Sequence, residues 1–409
     1  MKRNARASVE VLWRFLRLGL TAFGGPIAHL GYFRSEFVDR ARWLDDATFA
    51  EIVALCSALP GPTSSQTAVV IGTRRAGLLG GGAAWLGFTT PSAVLLGAFG
   101  IALRSGGIPL TGGAPLVPGA FGGLGAAAGG VVAQAVVVLA RSLTRTTATR
   151  AIALVAFFIA LAVNRWSPQF AWLPLLVGAA LGVVAVRTEI GVAPAALNLH
   201  IPRLAGIVSP VVLIALLVAL PVFAPAGSAL ALFALFFRAG SLVFGGGHVV
   251  LPLLQSLITR DQVSAATFLA GYGAAQAVPG PLFTFASFLG AVNATPVHGT
   301  GGAFVATVAI FLPSFLLLGS LLPLWNTLRA APRASAALAG VNAAVVGLLA
   351  AVLVTPIGAT LAATPWKLAV ALAAFVALLA FRIPPWLVVL GCATAGAALT
   401  ATLSRVYSP

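Results

Sequence analysis

One short pattern occurs twice in the chain, and any fold has to accommodate both copies. The first reads Phe15-Leu16-Arg17-Leu18-Gly19, then Phe23-Gly24-Gly25, then Pro60-Gly61-Pro62. The second reads Phe236-Phe237-Arg238-Ala239-Gly240, then Phe244-Gly245-Gly246, then Pro279-Gly280-Pro281. The Phe, Arg and Gly positions recur 221 residues on and the Pro-Gly-Pro triplets 219 residues on. Weaker echoes follow, Pro91-Ser92 in Pro313-Ser314 and Gly123–Ala133 in Gly340–Ala350. A match this long at near-constant spacing marks two copies of one structural unit. The expected division is a first unit at 1–190, a linker with one extra apolar segment at 191–227, and a second unit at 228–409.

The surroundings of the repeat fix the fold class. With 60% hydrophobic residues, 8% charged residues and a mean hydropathy of +1.04, the chain has too little polar surface to cover a soluble globule. Apolar runs of about 20 residues recur from end to end, each long enough for a hydrocarbon core of roughly 30 Å. The expectation is an all-α polytopic membrane protein in a lipid bilayer. The net charge of +16 would suggest nucleic acid in a soluble protein. Here the basic residues are dispersed between apolar runs, so topology accounts for them and no nucleic-acid partner is expected. Cys56 and Cys392 share no metal or redox spacing and read as packing residues. Glu10, Arg14 and Arg17 interrupt the apolar run a leader would need, so the basic amino end reads as mature sequence.

Taken in order, apolar segments fall near 8–30, 47–73, 79–103, 116–140, 150–163 and 170–186, then 206–223. The second copy repeats the order near 229–250, 264–290, 302–325, 334–356, 365–381 and 385–403. Six, one and six make thirteen crossings, and the odd segment inverts the second copy relative to the first. With the amino end in the cytoplasm, fourteen Lys/Arg fall inside and seven outside, as positive-inside topology requires. Arg260 counts among the inside residues. Arg34, Arg40 and Arg42 count among the outside ones, beside a cluster of acids that reads as a paired, solvated surface stretch.

Glycine pairs and Pro-Gly-Pro within apolar segments break the backbone ladder, and lipid cannot satisfy the freed groups. Broken helices in both copies of an inverted repeat point to a transporter's central site, the plainer alternative being kinks for helix packing. The expected substrate-binding set is Arg17, Gly24, Gly25, Pro60, Gly61, Pro62, Ser64, Ser65 and Gln66 from the first copy. From the second it is Arg238, Gly245, Gly246, Gly247, His248, Gln276, Pro279, Gly280, Pro281 and Thr284. Ser64, Ser65 and Gln66 open a half-helix whose N–H groups and hydroxyls suit an oxyanion. Arg17 and Arg238 lie inside apolar stretches, where an anion would compensate them; snorkelling to the interface is the rival reading. His29 and His248 are candidate proton-coupling groups, the plainer alternative for a lone histidine being a structural role. No Walker loop, zinc site, dinucleotide fingerprint or catalytic triad is present, so the chain reads as a non-enzyme without a cofactor.

These residues carry a family resemblance. Phe23-Gly24-Gly25-Pro26-Ile27-Ala28-His29-Leu30-Gly31, Leu59-Pro60-Gly61-Pro62-Thr63-Ser64-Ser65-Gln66, Phe244-Gly245-Gly246-Gly247-His248 and Gly271-Tyr272-Gly273 through Gln276-Ala277-Val278-Pro279-Gly280-Pro281-Leu282-Phe283-Thr284 resemble the chromate ion transporter family in its long, two-domain form. Thr63, where many relatives would carry Ala, is a mild departure. The resemblance implies proton-driven export of chromate across a bacterial inner membrane, giving chromate resistance, with sulfate as a close analogue. A sulfate transporter or a passive anion channel is the alternative, and a homodimer is left open.

Overall fold

The computed structural model describes residues 2–106, 116–166, 170, 172–186, 203–243, 250–258, 261–322 and 331–407. The first unit comprises α1 (Lys2–Thr21), α2 (Gly25–Arg34), α3 (Asp46–Ala58), α4 (Thr63–Arg104), α5 (Leu116–Leu143), α6 (Thr147–Trp166) and α7 (Leu173–Ala185). After α8 (Arg203–Phe223), the second comprises α9 (Ala229–Leu242), α10 (Val250–Leu257), α11 (Ala265–Ala277), α12 (Phe285–Val292) and α13 (Gly299–Leu321). It ends with α14 (Pro332–Val352), the one-turn α15 (Ala359–Ala362), α16 (Pro365–Leu379) and α17 (Pro385–Tyr407). Every described element is helical, as an apolar environment without water demands. Among the described residues six helices are long and apolar enough to span a membrane, and shorter apolar helices accompany them.

The short helices differ from the single broken crossings expected of them. α1 doubles back on α2 at the Phe23-Gly24-Gly25 break: Phe15 stacks on Phe37 with ring centroids 4.8 Å apart and meets Phe33 at 5.5 Å. Arg14 pairs with Glu36 across the same two arms. The turn is possible because Gly24 and Gly25 hold φ of 100° and 77°, a region open to glycine. α11 and α12 double back in the same way around Pro279-Gly280-Pro281. Tyr272 and Phe285 lie 5.7 Å apart, and Gly271 faces the Phe288 ring, leaving no room for a Cβ. A helix continuing through the triplet would carry residues 271 and 288 apart by about 1.5 Å per residue. Each Pro-Gly-Pro is therefore the tip of a helical hairpin. Proline removes a donor and fixes φ, and the central glycine takes the positive φ that closes the turn.

α4 is two arms rather than one rod. Its 42 residues would reach about 63 Å if straight, twice a hydrocarbon core. The ladder fails at Ala76 and Gly77 (φ 68°, ψ −162°), and the arms 63–75 and 78–104 fold together with Gly72 against the Gly80 carbonyl and Ala84. The second unit repeats this contact with separate helices, placing Gly290 of α12 against the Gly302 carbonyl and Ala306 of α13. Likewise Gly19 of α1 meets the backbone of Gly87 and Phe88, and Gly240 of α9 meets that of Ile310. Small residues at equivalent places let both units close backbone to backbone.

The two units run in opposite directions. α12 packs along the second arm of α4 with Gly97 beside Ser287 and Gly100 beside Ala291, so the two helices are parallel. Their far ends meet where Arg104 donates to the Asn293 carbonyl at 3.0 Å. The equivalent arm of the first unit, 63–75, ends at the other face, where Arg75 pairs with Glu10 at 3.0 Å. Arg34 pairs there too, with Asp46 at 2.7 Å. Arg34, Arg40 and Arg42, expected opposite Arg74 and Arg75, thus share their face because two half-helices return the chain where one crossing would not. The α10–α11 turn lies at the opposite face, with Ala294 N–H donating to the Gln262 carbonyl at 3.0 Å; Arg260 itself is outside the described residues. The outer helices are exchanged between units: α5 packs on α16 and α17, and α14 on α6 and α7.

Candidate functional site

The two hairpin tips do not pack on their own unit; each is held by the break of the other. Gly61 N–H donates to the carbonyl of Val243 at 2.6 Å, and Gly280 N–H donates to that of Ala22 at 3.0 Å. Val243 and Ala22 are repeat equivalents, each one residue before Phe-Gly-Gly, so the bonds are related by a pseudo-two-fold. Each satisfies a carbonyl freed at a helix end. The fit is tight. A Cβ on Gly61 (φ 120°) would lie 2.6 Å from the Ser314 hydroxyl and from Gln66 Nε2. One on Gly280 (φ 105°) would lie 2.7 Å from the Ser92 hydroxyl and 3.3 Å from the Phe88 carbonyl. Ser92 and Ser314 are themselves the repeated Pro-Ser pair.

Around the tips the sequence places polar side chains in a dry interior. Ser64, Ser65, Gln66 and Thr284 are all at most 2% exposed. Gln66 donates back to the Pro60 carbonyl at 2.6 Å, and Thr284 donates to the Pro281 carbonyl at 2.7 Å. These bonds tie each tip to its following helix by different chemistry, an amide in one unit and a hydroxyl in the other. Pro62 and Pro281 precede the first turns of their helices in extended backbone. Several buried groups keep hydrogen-bonding capacity unused: the hydroxyls of Ser65, Thr89 and Ser314, Gln66 Oε1 and Gln276 Nε2. An unused buried polar group costs about 1–3 kcal/mol, so such a cluster beside two glycine tips marks where a polar solute would be accommodated.

Not all the expected residues join this centre. Gly24 and Gly25 form the turn beside Ala22, and His29, 1% exposed, contacts the Ala22 carbonyl through Nε2 at 3.1 Å. His29 therefore shares the acceptor that holds the second tip, and its ring stands edge-on to Phe88 at 5.2 Å. Arg17 departs from the expectation of facing a central cavity. It is exposed and lines a cleft of about 710 Å³ between α1 and α2, because Phe15, Leu18 and Gly19 occupy the buried side of the helix. Arg238 is half-buried on α9. Gly245, Gly246, Gly247 and His248 lie outside the described residues. Ser92, Ser314 and Thr89 were not singled out as site residues, although the repeated Pro-Ser pair was the available signal.

Such a fold, two inverted helical units whose hairpin tips interlock at buried, under-bonded polar groups, defines a class of polytopic membrane protein built on inverted repeats. A family model described as chromate transporter matches residues 9–183 and 230–397, and the chain belongs to that family. It is 31% identical over 393 residues to a chromate transport protein of Pseudomonas aeruginosa, covering 91% of this chain and 86% of that one. It is 30% identical over 343 residues to a probable chromate transport protein of Synechococcus elongatus, covering 83% and 82%. A chromate transport protein of Cupriavidus metallidurans is 26% identical over 347 residues, covering 83% and 80%. No solved structure matches the chain.

Proposed function

We propose that this chain is a secondary transporter that exports chromate across the bacterial inner membrane in exchange for protons, with its amino terminus in the cytoplasm. The observation that carries the reading is the crossed pair of tip-to-break hydrogen bonds, Gly61 to Val243 and Gly280 to Ala22, set among buried polar groups with unused capacity. Chromate is a tetrahedral dianion, and a dry site of hydroxyl, amide and backbone N–H donors suits it without a formal counter-charge. The first-turn N–H groups behind Pro62 and the hydroxyls of Ser64, Ser65 and Ser314 are the donors of one half-site. Those behind Pro281, with Gln276, belong to the other, where Thr284 braces the tip through its bond to the Pro281 carbonyl. Gly61 and Gly280 keep both tips free of side chains, so an ion could approach the backbone directly.

The inverted arrangement supplies two gates. One Pro-Gly-Pro hairpin is rooted at each face, so parting of a single tip from the opposite break would connect the centre with one side at a time. His29 is the proposed proton acceptor, since it bears on the carbonyl that holds the second tip and lies in only one of the two units. The unit boundaries 1–190 and 228–409, with α8 between them, belong to the same proposal, because each gate needs its own unit. The Lys/Arg-rich face carrying Arg34, Arg40, Arg74 and Arg75 supports the cytoplasmic amino end.

The test is radiolabelled chromate flux in everted vesicles, with sulfate as competitor and an uncoupler as control. Saturable, uncoupler-sensitive uptake into the vesicles agrees with the proposal. Flux that only runs downhill and does not saturate refutes it in favour of a channel, and preferred sulfate would change the substrate while keeping the mechanism.

A further inference from the structure

We propose that the cleft between α1 and α2 is a binding site for one anionic phospholipid, whose phosphate is held by Arg17 and whose acyl chains lie along the exposed Leu20 and Tyr32. The cleft, of about 710 Å³, joins two kinds of wall. Arg14, Arg17, Ser35, Glu36 and Arg40 form one end, and Leu18, Leu20 and Ala28 form the other. The arginines are not equivalent. Arg14 is bonded to Glu10 and Glu36, and Arg40 lies 3.9 Å from Glu36. Among the described residues no carboxylate pairs with Arg17.

Depth makes that vacancy matter. Ala22 stands at the level of the tips, and Arg17 is five residues earlier on the same helix, about 7.5 Å away along its axis. Glu10, which pairs with Arg75 at the charged face, is about 18 Å from Ala22 by the same rise. The Arg17 backbone is therefore within the hydrocarbon region, and its side chain must reach outward to an anion. The cleft also opens sideways through apolar residues, Leu20 being 54% exposed and Tyr32 41%. A lateral apolar mouth suits a lipid rather than a hydrated ion. Anionic headgroups concentrate at a membrane face rich in basic residues, and this is the face of Arg34, Arg40, Arg74 and Arg75. The inference does not depend on the transported substrate.

The test uses the full chain in nanodiscs of phosphatidylcholine, with and without added phosphatidylglycerol. Retained lipid is measured by mass spectrometry of the released protein. Wild-type protein should retain phosphatidylglycerol selectively. Arg17→Gln should lower that retention about tenfold, the loss of one charge-assisted hydrogen bond, and Arg17→Lys should recover most of it. Gly31 borders the cleft with nothing near its missing Cβ, so Gly31→Leu should fill the space, fold normally and lose the lipid too. Retention unchanged in both Arg17→Gln and Gly31→Leu overturns the site. So does an equal loss from Lys367→Gln in a different cleft, or displacement of the lipid by sulfate at low millimolar levels, which would make the cleft a free-oxyanion site.

Discussion

Adding a single methyl at a hairpin tip tests the interlocked centre most directly. In Gly280→Ala the new Cβ meets the Ser92 hydroxyl at 2.7 Å, Ser92 Cβ at 3.1 Å and the Phe88 carbonyl at 3.3 Å, on a backbone with φ of 105°. The strained dihedral alone costs about 1–3 kcal/mol, and the Ser92 hydroxyl adds to it unless it rotates away from the Thr89 carbonyl it bonds at 3.1 Å. The hairpin is rooted by its packing along the second arm of α4, so the strain falls on the closed position of the tip rather than on insertion. A shift of 1–3 kcal/mol corresponds to roughly a 5- to 150-fold loss of the closed population. Chromate flux at matched protein levels should fall within that range. Ser92→Ala in the Gly280→Ala background removes the nearest atom but neither the dihedral strain nor the 3.1 Å contact, so it should recover only part of the loss. Ser314→Ala should do the same for Gly61→Ala through the symmetric contact. Wild-type flux in Gly280→Ala, or no interaction between positions 280 and 92, would falsify the placement of the tip against the opposite unit.

Three further outcomes follow. Single cysteines at Arg40 and Ser142 should label from one face and a cysteine at Thr295 from the other; labelling of Arg40 and Thr295 from the same side removes the inversion. His29→Gln should keep chromate flux measurable while flattening its pH dependence, and an unchanged pH profile would take the proton away from this residue. Gly72→Val, which drives a side chain into the Gly80 carbonyl, should sharply reduce folded protein. Gly82→Ala, with nothing near its Cβ, should leave expression unaltered, and equal yields for the two would mean that the α4 arms do not close as described.

The membrane class, the twofold repeat and the helix breaks at the Pro-Gly-Pro triplets were legible in the sequence because each rests on local pattern. Whether a triplet kinks one crossing or turns a hairpin was not. The stretch 47–73 is long enough for one tilted crossing or for two half-length helices, and hydropathy is the same for both. The distinction lies in contacts such as Gly271 on Phe288, which join residues that no periodicity relates. One signal was available but not used: Arg34, Arg40 and Arg42 fall outside in a thirteen-crossing count, against the positive-inside bias. The side that Arg17 faces was not legible for a related reason. Its equivalence to Arg238 is a fact of sequence, but the side it faces depends on where Phe15 and Leu18 pack.

The arginines and α8 together explain how two copies of one unit came to interlock. A hairpin returns the chain to the face it left, so the two hairpins of the first unit leave Arg74 and Arg75 beside Glu10. Among the described residues of that unit, the four helices from the second arm of α4 to α7 carry the chain across, and an even number brings it back. Without α8 the second unit would begin at the same face and its tips would lie parallel to those of the first. α12 could not then pack parallel to the second arm of α4 through Ser287 and Ala291, because its equivalent in the first unit, the arm 63–75, runs antiparallel to that arm. Among the described residues α8 packs chiefly along α9 and α13, and within its spanning window just 6% of the helix is buried inside the protein. Its contribution is thus parity more than packing. Substitutions along its exposed face, such as Ile207 or Val211, should be far better tolerated than any change that stops it from crossing.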